Sequence, residues 1–290
     1  LWELINQRND LQHFQVGPLV LDVPTFHERG IREAVLNAVS HRNYQLGGNV
    51  FIRQYPNRIE ITSPGGLPVE VRLETILYRQ SPRNRRIADI FTKCGLVERS
   101  GQGMNLMFES AIQHSKRLPD FTGTDDYQVS ITLHGMMHNP SFVRYLRQFE
   151  DEVKNTLSTD HWLVLDKLSR EEPLADDLIA CTDRLLETGM IVRAAKGRFI
   201  LGEDYYRFTG RESTFQRLRE NEEGKEALEA HISEHAVDGC PVSDLASLLS
   251  ELTRDQVRSL LEELRGEERI HLRGERRWAR WYPGPPQEEE

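Results

Sequence analysis

Apolar positions recur with the helical period across "GIREAVLNAVSHRNY" (residues 30–44). At 100° per residue, Ile31, Ala34, Val35, Ala38 and Val39 gather on one side of a helix. Glu33, Asn37 and His41 fall on the opposite side, within about 80° of one another. The next stretch, "NVFIRQYPNRIEITSP" (49–64), alternates with period two on either side of Pro56-Asn57 and predicts a hairpin. "VRLETILYRQ" predicts a helix, and residues 86–95 another, ending at Gly95. "GLVERSGQGMNLMFESAIQHS" reads as a glycine loop opening into a helix, and "DDYQVSITLH" (125–134) as a strand. Helices and strands are mixed throughout, so residues 1–139 are expected to form an α/β sandwich.

"HGMMHNPSF" marks a boundary near residue 139, after which the pattern turns mostly helical. "HWLVLDKLSREE" carries apolar residues at helical spacing. "DLIACTDRLLETGMIVRAAKGRFIL" predicts a helix running through Gly189 into two strands around Lys196-Gly197. Residues 223–283 read as three helices followed by two strands, with Thr253 as N-cap of the third helix and Gln256 completing a capping box. Three helices and a β-hairpin wing are the pattern of a winged helix, whose third helix enters the major groove. Residues 160–203 carry a shorter version of the same order, with "EEPLADD" too short for a full middle helix. The expected division is therefore 1–139, a degenerate winged-helix module at 140–212, a full one at 213–283, and a polar, Pro-rich tail at 284–290. The fold class is α+β: a sandwich followed by mainly helical modules.

Composition narrows the setting. The net charge of −9 argues against indiscriminate polyanion binding, but it is unevenly placed: +1 over residues 1–139 and −10 over the remainder. No apolar run approaches the roughly 18 residues that cross a bilayer, so a membrane protein is not expected. Cys94, Cys181 and Cys240 are far apart, which predicts neither a disulfide framework nor a zinc site and favours a reducing, cytoplasmic compartment. The chain opens at Leu1 without an initiator Met, as a segment of a longer protein does.

By itself the line Glu33–Asn37–His41 admits a solvated helix face. Together, "REAVLNAVSHRNY", "NRIEITSPGGLP" and "IADIFTKCGLVERSGQGMNLM" resemble the divergent GHKL-type ATP-binding domain of RecG-helicase-related bacterial regulators, over about residues 28–135. Relatives of this kind carry a separate N-terminal Schlafen/AlbA-like domain, which has no counterpart here. The resemblance implies ATP and Mg²⁺ as ligands. Asn37 would place its carbonyl on Mg²⁺, a hard cation that takes oxygen ligands. Glu33, one turn earlier, would orient or deprotonate the attacking water. His41 and Arg42 meet phosphate or serve only as caps. Gly65 and Gly66 of "SPGGLP" would let backbone approach the nucleotide without an intervening Cβ. Ser63 stands where typical members carry the Asp that accepts from the adenine amino group. Gly101 and Gly103 would free the second glycine loop, whose following helix points N–H groups at an anion. "SPRNRR" (81–86) reads as a basic loop or a phosphate contact.

In the last module, Arg254, Gln256 and Arg258 would lie at the front of the third helix, with Arg273, Arg276 and Arg277 in the wing beside Arg280. Trp278 and Trp281 read as packing residues. Against DNA contact stand Glu262, Glu263, Glu267 and Glu268, which read as an acidic half of that helix and leave protein contact open. "HISEH" (231–235) matches the inverted zinc-peptidase pattern, but that enzyme needs a distant carboxylate ligand and its own fold, so the segment reads as an exposed helix face. The expected function is an ATP- and DNA-binding transcription regulator, a homodimer by analogy with other winged-helix regulators. The alternatives are a slow ATPase subunit of a DNA-processing or phage-defence complex, and a protein-interaction scaffold with a decayed ATP site.

Overall fold

A computed structural model describes the chain except for residues 69–70, 79–81, 97–102, 195–197, 250–251, 275–277 and 286–290. The fold is α+β, with small antiparallel sheets. Two compact units divide it, Leu1–Arg184 and Leu185–Glu290. Among the described residues, no helix is long and apolar enough to cross a membrane.

The first unit opens with a short helix, α1 (Trp2–Asn6), and a hairpin of β1 (Leu11–Val16) and β2 (Leu19–Pro24) turning at Gly17-Pro18. Helix α2 (Glu28–Ser40) follows, then β3 (Phe51–Tyr55) and β4 (Arg58–Pro64), joined at Pro56-Asn57 as the alternation predicts. Among the described residues, only a 3₁₀ turn, Leu73–Thr75, forms where a helix was expected. Helices α3 (Arg85–Lys93) and α4 (Gly103–Gln113) precede β5 (Gln128–His134). Strand β4 lies between β3 and β5, with Ile61 opposite both Ile52 and Ile131. Period two puts Ile59, Ile61, Ile131 and Leu133 on one face of this sheet. There they pack against Ile31, Ala34 and Ala38 of α2 and Met107 of α4. This two-layer core anchors α2 and fixes which of its faces stays free.

Helices α5 (Pro140–Leu146), α6 (Asp151–Asn155), α7 (Thr159–Ser169) and α8 (Asp176–Ile179) complete the unit, and α9 (Asp183–Glu187) spans the division. Helix α7 is tied back to the sandwich: Thr159 Oγ1 donates to Glu109 of α4 at 2.7 Å, and Tyr78 Oη to Asp160 at 2.7 Å. That bond, with burial, pushes the Tyr78 phenol up to about 12. The helix expected through Gly189 instead ends before it; Gly189 takes φ +71°, a conformation that terminates helices.

The second unit holds a hairpin of β6 (Ile191–Ala194) and β7 (Arg198–Leu201), then α10 (Glu203–Phe208), α11 (Glu212–Glu234), α12 (Val242–Leu248), α13 (Arg254–Gly266) and a second hairpin of β8 (Ile270–Arg273) and β9 (Arg280–Pro283). Leu228, Ile232, Leu245, Val257, Leu261, Leu264, Ile270 and Trp281 form its core. The capping box at α13 is present: Gln256 N donates to Thr253 Oγ1, and Thr253 N to Gln256 Oε1 at 2.8 Å. Trp281 is buried, whereas Trp278 is 71% exposed and is not a core residue.

Candidate functional site

With the apolar side of α2 committed to the sheet, Glu33, Asn37 and His41 stand half-buried along the edge of a cavity of about 360 Å³. Its walls come from segments far apart in sequence: α2, the turn after β4 (Ser63 to Pro68), Val71 and Ile76, one side of α3, the start of α4, and the inner sheet face. Ile61, Val129, Ile131, Met104, Met107 and Phe121 make one part apolar. Glu33, Asn37, His41, Ser63, Asp89 and Thr92 bring polar groups to the rest. The volume lies within the roughly 300–1,000 Å³ usual for small-molecule sites.

Helix α4 starts at Gly103, against Glu33. A Cβ on Gly103 would collide with the Glu33 carboxylate, so the missing side chain lets an acid reach the positive end of a helix. Asn37 lies one turn along α2 and brings a carboxamide to the same cavity. Oxygen donors of this kind suit a hard cation such as Mg²⁺. His41 is the C-cap residue of α2, its N–H on the Asn37 carbonyl at 2.9 Å. Burial, then the Arg83 guanidinium, depress its imidazole below the usual histidine range, so it lines the cavity as a neutral group.

Ser63 is buried, and its hydroxyl donates to Ala38 O at 2.7 Å. Its proton is thus committed inside the chain, which leaves the oxygen as an acceptor. Gly65 and Gly66 line the cavity, but packing within the chain alone demands glycine at both. Gly65 has φ +96°, and a Cβ there would stand 2.5 Å from Asn43 Cβ; at Gly66 it would stand 2.6 Å from Asp125 O. Their N–H groups bond Tyr127 O and Asp126 O at 2.6 and 3.2 Å.

Arg42 stands elsewhere than the other expected ligand residues. Arg42 is not among the residues lining the cavity. Its guanidinium donates to the carbonyls of Asn43, Leu46 and Gly48 and lies over the Tyr44 ring, because the loop after α2 folds around it. Gly101 lies outside the described residues. Two residues of the basic loop have clear work instead. Asn84 Nδ2 donates to Ser40 O and Arg42 O at 2.9 and 2.7 Å, satisfying the end of α2 from another segment. Arg83 bonds Gly66 O at 2.6 Å. Asp89 and Thr92 of α3 also line the cavity. No periodicity marked Arg83 and Asn84, since each acts across more than 15 positions of sequence.

In the second unit, Arg254 and Arg258 sit exposed in the first turns of α13, with Arg258 3.7 Å from Asp255. The Gln256 oxygen is occupied by the cap. Arg273 on β8 lies over the Tyr282 ring, and Arg280 donates to Gly239 O. Arg276 and Arg277 lie outside the described residues. The expected acidic half of α13 is partly internal: Glu263 and Glu267 pair with the fully buried Lys225, and Glu267 also with Arg269.

Comparison with known proteins bears on the first unit most directly. Residues 47–133 match the family described as "Putative ATP-dependent DNA helicase recG C-terminal". This supports a divergent GHKL-type, RecG-related domain there. The match begins after α2, so Glu33, Asn37 and His41 lie outside it. The crystal structure of the DIP2311 protein from Corynebacterium diphtheriae is similar in fold, with TM-score 0.55 and 21% identity over 88% of this chain and 50% of that one. The chain thus spans about half the length of that protein. No curated protein matches the sequence.

Proposed function

We propose that the first unit binds ATP with Mg²⁺ and that the second contacts DNA, so that nucleotide occupancy regulates DNA binding. The observation that carries the reading is convergence: Glu33, Asn37, His41, Ser63 and Gly103, from three separated segments, line one cavity of about 360 Å³. The description of the matching family supports ATP as the ligand. The adenine would lie in the apolar part, with the Ser63 oxygen as acceptor for its amino group. The phosphates would lie toward Asn37, His41 and the start of α4. Glu33 would hold and polarise an attacking water. A cation bound by Asn37 would supply charge neutralisation as the phosphoryl group departs.

Within the first unit the cavity is tied to helix α7. Ile76 lines the cavity and Tyr78, two residues on, is bonded to α7; α4 lines the cavity and Glu109 on it bonds the first residue of α7. Arg254, Arg258 and Arg273 would meet phosphate or base edges, with Arg276 and Arg277 in the wing and a homodimer presenting two such surfaces. Internal pairing of Glu263 and Glu267 removes part of the electrostatic objection to DNA. The test is fluorescence anisotropy on a labelled duplex with and without ATP·Mg²⁺. A change in affinity that Glu33→Ala alters supports coupled regulation. Equal affinity in both conditions overturns it.

One observation favours a second reading, a scaffold with a decayed site: the neutral hydroxyl of Ser63 is a weaker acceptor for an adenine amino group than a carboxylate. In that case neither nucleotide nor Mg²⁺ would raise the melting temperature.

A further inference from the structure

Three side chains that the sequence keeps apart in type and role meet at the base of the last hairpin. His231 and His235 sit one turn apart at the C-terminal end of α11, their ring centroids 4.4 Å apart. The chain then reverses, with Gly239 N bonded to His235 O at 2.9 Å, and delivers Cys240 back to the same place. Two backbone bonds to Trp281, at 3.0 and 2.9 Å, fix Cys240 against β9. One donor atom from each of His231, His235 and Cys240 lies within 4.8 Å of the other two.

We propose that His231, His235 and Cys240 form a binding site for zinc or a similarly borderline-soft divalent ion. Two imidazoles and a thiolate are zinc-type donors, and hard Mg²⁺ has no carboxylate in the trio to hold it. Tetrahedral coordination at 2.0–2.3 Å sets donors about 3.5 Å apart, so the trio must close by about 1 Å. His235 is exposed and free to make that adjustment. The His231 carbonyl sits at the hub: His235 Nδ1 lies 2.9 Å from it and the Cys240 thiol 3.9 Å. A metal held through His235 Nε2 keeps the Nδ1 bond as its outer-shell support, and one held through Nδ1 replaces it. The fourth position belongs to water. Such an ion would pin the end of α11 to Cys240, whose backbone is bonded to Trp281 of β9, stiffening the base of the hairpin.

The test uses the full chain, reduced and stripped with a chelator, titrated with Zn²⁺ against a chromophoric competitor and separately with Co²⁺. One equivalent per chain is expected, with thiolate-to-cobalt charge-transfer absorption and a melting temperature that rises on zinc addition. Because His235 is exposed, His235→Gln should leave the circular dichroism spectrum intact while weakening binding by more than the roughly 10- to 100-fold that an outer-shell loss costs. Cys240→Ser should abolish the charge-transfer band, and Cys94→Ser, which removes an exposed thiol, should not. Zinc affinity unchanged in His235→Gln, or a band that follows Cys94, overturns the proposal.

Discussion

Lys225→Met should be among the most damaging single changes in the second unit. The Lys225 side chain is 0% exposed, with Nζ 2.6 Å from Glu267 Oε1 and 3.2 Å from Glu263 Oε2. Glu267 also bonds Arg269, which reaches Glu222 and Glu229. Two cations thus hold four carboxylates. Removing Lys225 takes the buried positive charge away from Glu263 and Glu267, with Glu222 itself buried. Breaking a buried pair by deleting one partner costs about 3–5 kcal/mol. The cost falls on unit 2, so amide hydrogen exchange across α13 reads it directly: opening should become roughly 10²- to 5 × 10³-fold more frequent. Adding Glu263→Leu removes one stranded carboxylate, so the double variant should lose less than the sum of the singles. Acid should also narrow the deficit. Burial holds the Glu222 carboxyl above its ordinary range, with Lys225 and Arg269 opposing. Its folded value is raised, so the stability tied to its proton is complete below the unfolded value and is lost as pH rises through the folded one. Protection within about 1 kcal/mol of the parent at neutral pH would mean that water solvates the network and that the burial reasoning is wrong.

Three further outcomes follow from the first unit. His27 and His114 stack with ring centroids 3.5 Å apart, and burial first, with neighbouring cations, lowers them to about 3 and about 4. Unfolded, both take up protons near 6.5, so stability should fall as pH drops from about 6.5 toward 4, and His114→Gln should flatten that slope in urea titrations. Gly103→Ala should move stability by no more than about 1 kcal/mol, since helix propensity offsets a displaced Glu33 rotamer. If Glu33 positions the water, the same change should slow ATP hydrolysis about 10²-fold, measured by phosphate release. Asn84→Ala strands two carbonyls at the end of α2 and should cost about 1–3 kcal/mol in thermal unfolding.

Much of the fold was legible because it is local. The period of α2, the alternation across Pro56-Asn57 and the Thr253–Gln256 box all act within a few residues, where sequence and geometry coincide. The hairpin of β1 and β2 carried the same kind of signal, Gly17-Pro18 between alternating segments, and passed unread. Where "VRLETILYRQ" predicts a helix, the described residues form a 3₁₀ turn, with Val71 and Ile76 on the cavity wall. Long-range partners were not legible. Glu263 and Glu267 read as a solvated acidic face because Lys225 lies about 40 positions away on another helix. Asn84 read as part of a basic loop although its amide closes α2. The line of Glu33, Asn37 and His41 was visible as a pattern. That it borders a cavity with Ser63 and Gly103 depends on tertiary packing, which spacing alone does not encode.

The most direct test of the cavity as a nucleotide site is isothermal titration calorimetry of the full chain with ATP in the presence and absence of Mg²⁺. Saturable one-site heat is predicted with Mg²⁺ and weaker binding without it, and Asn37→Ala should erase the difference between the two titrations. An absence of heat from the parent chain, or an isotherm that Asn37→Ala leaves unchanged, would contradict it.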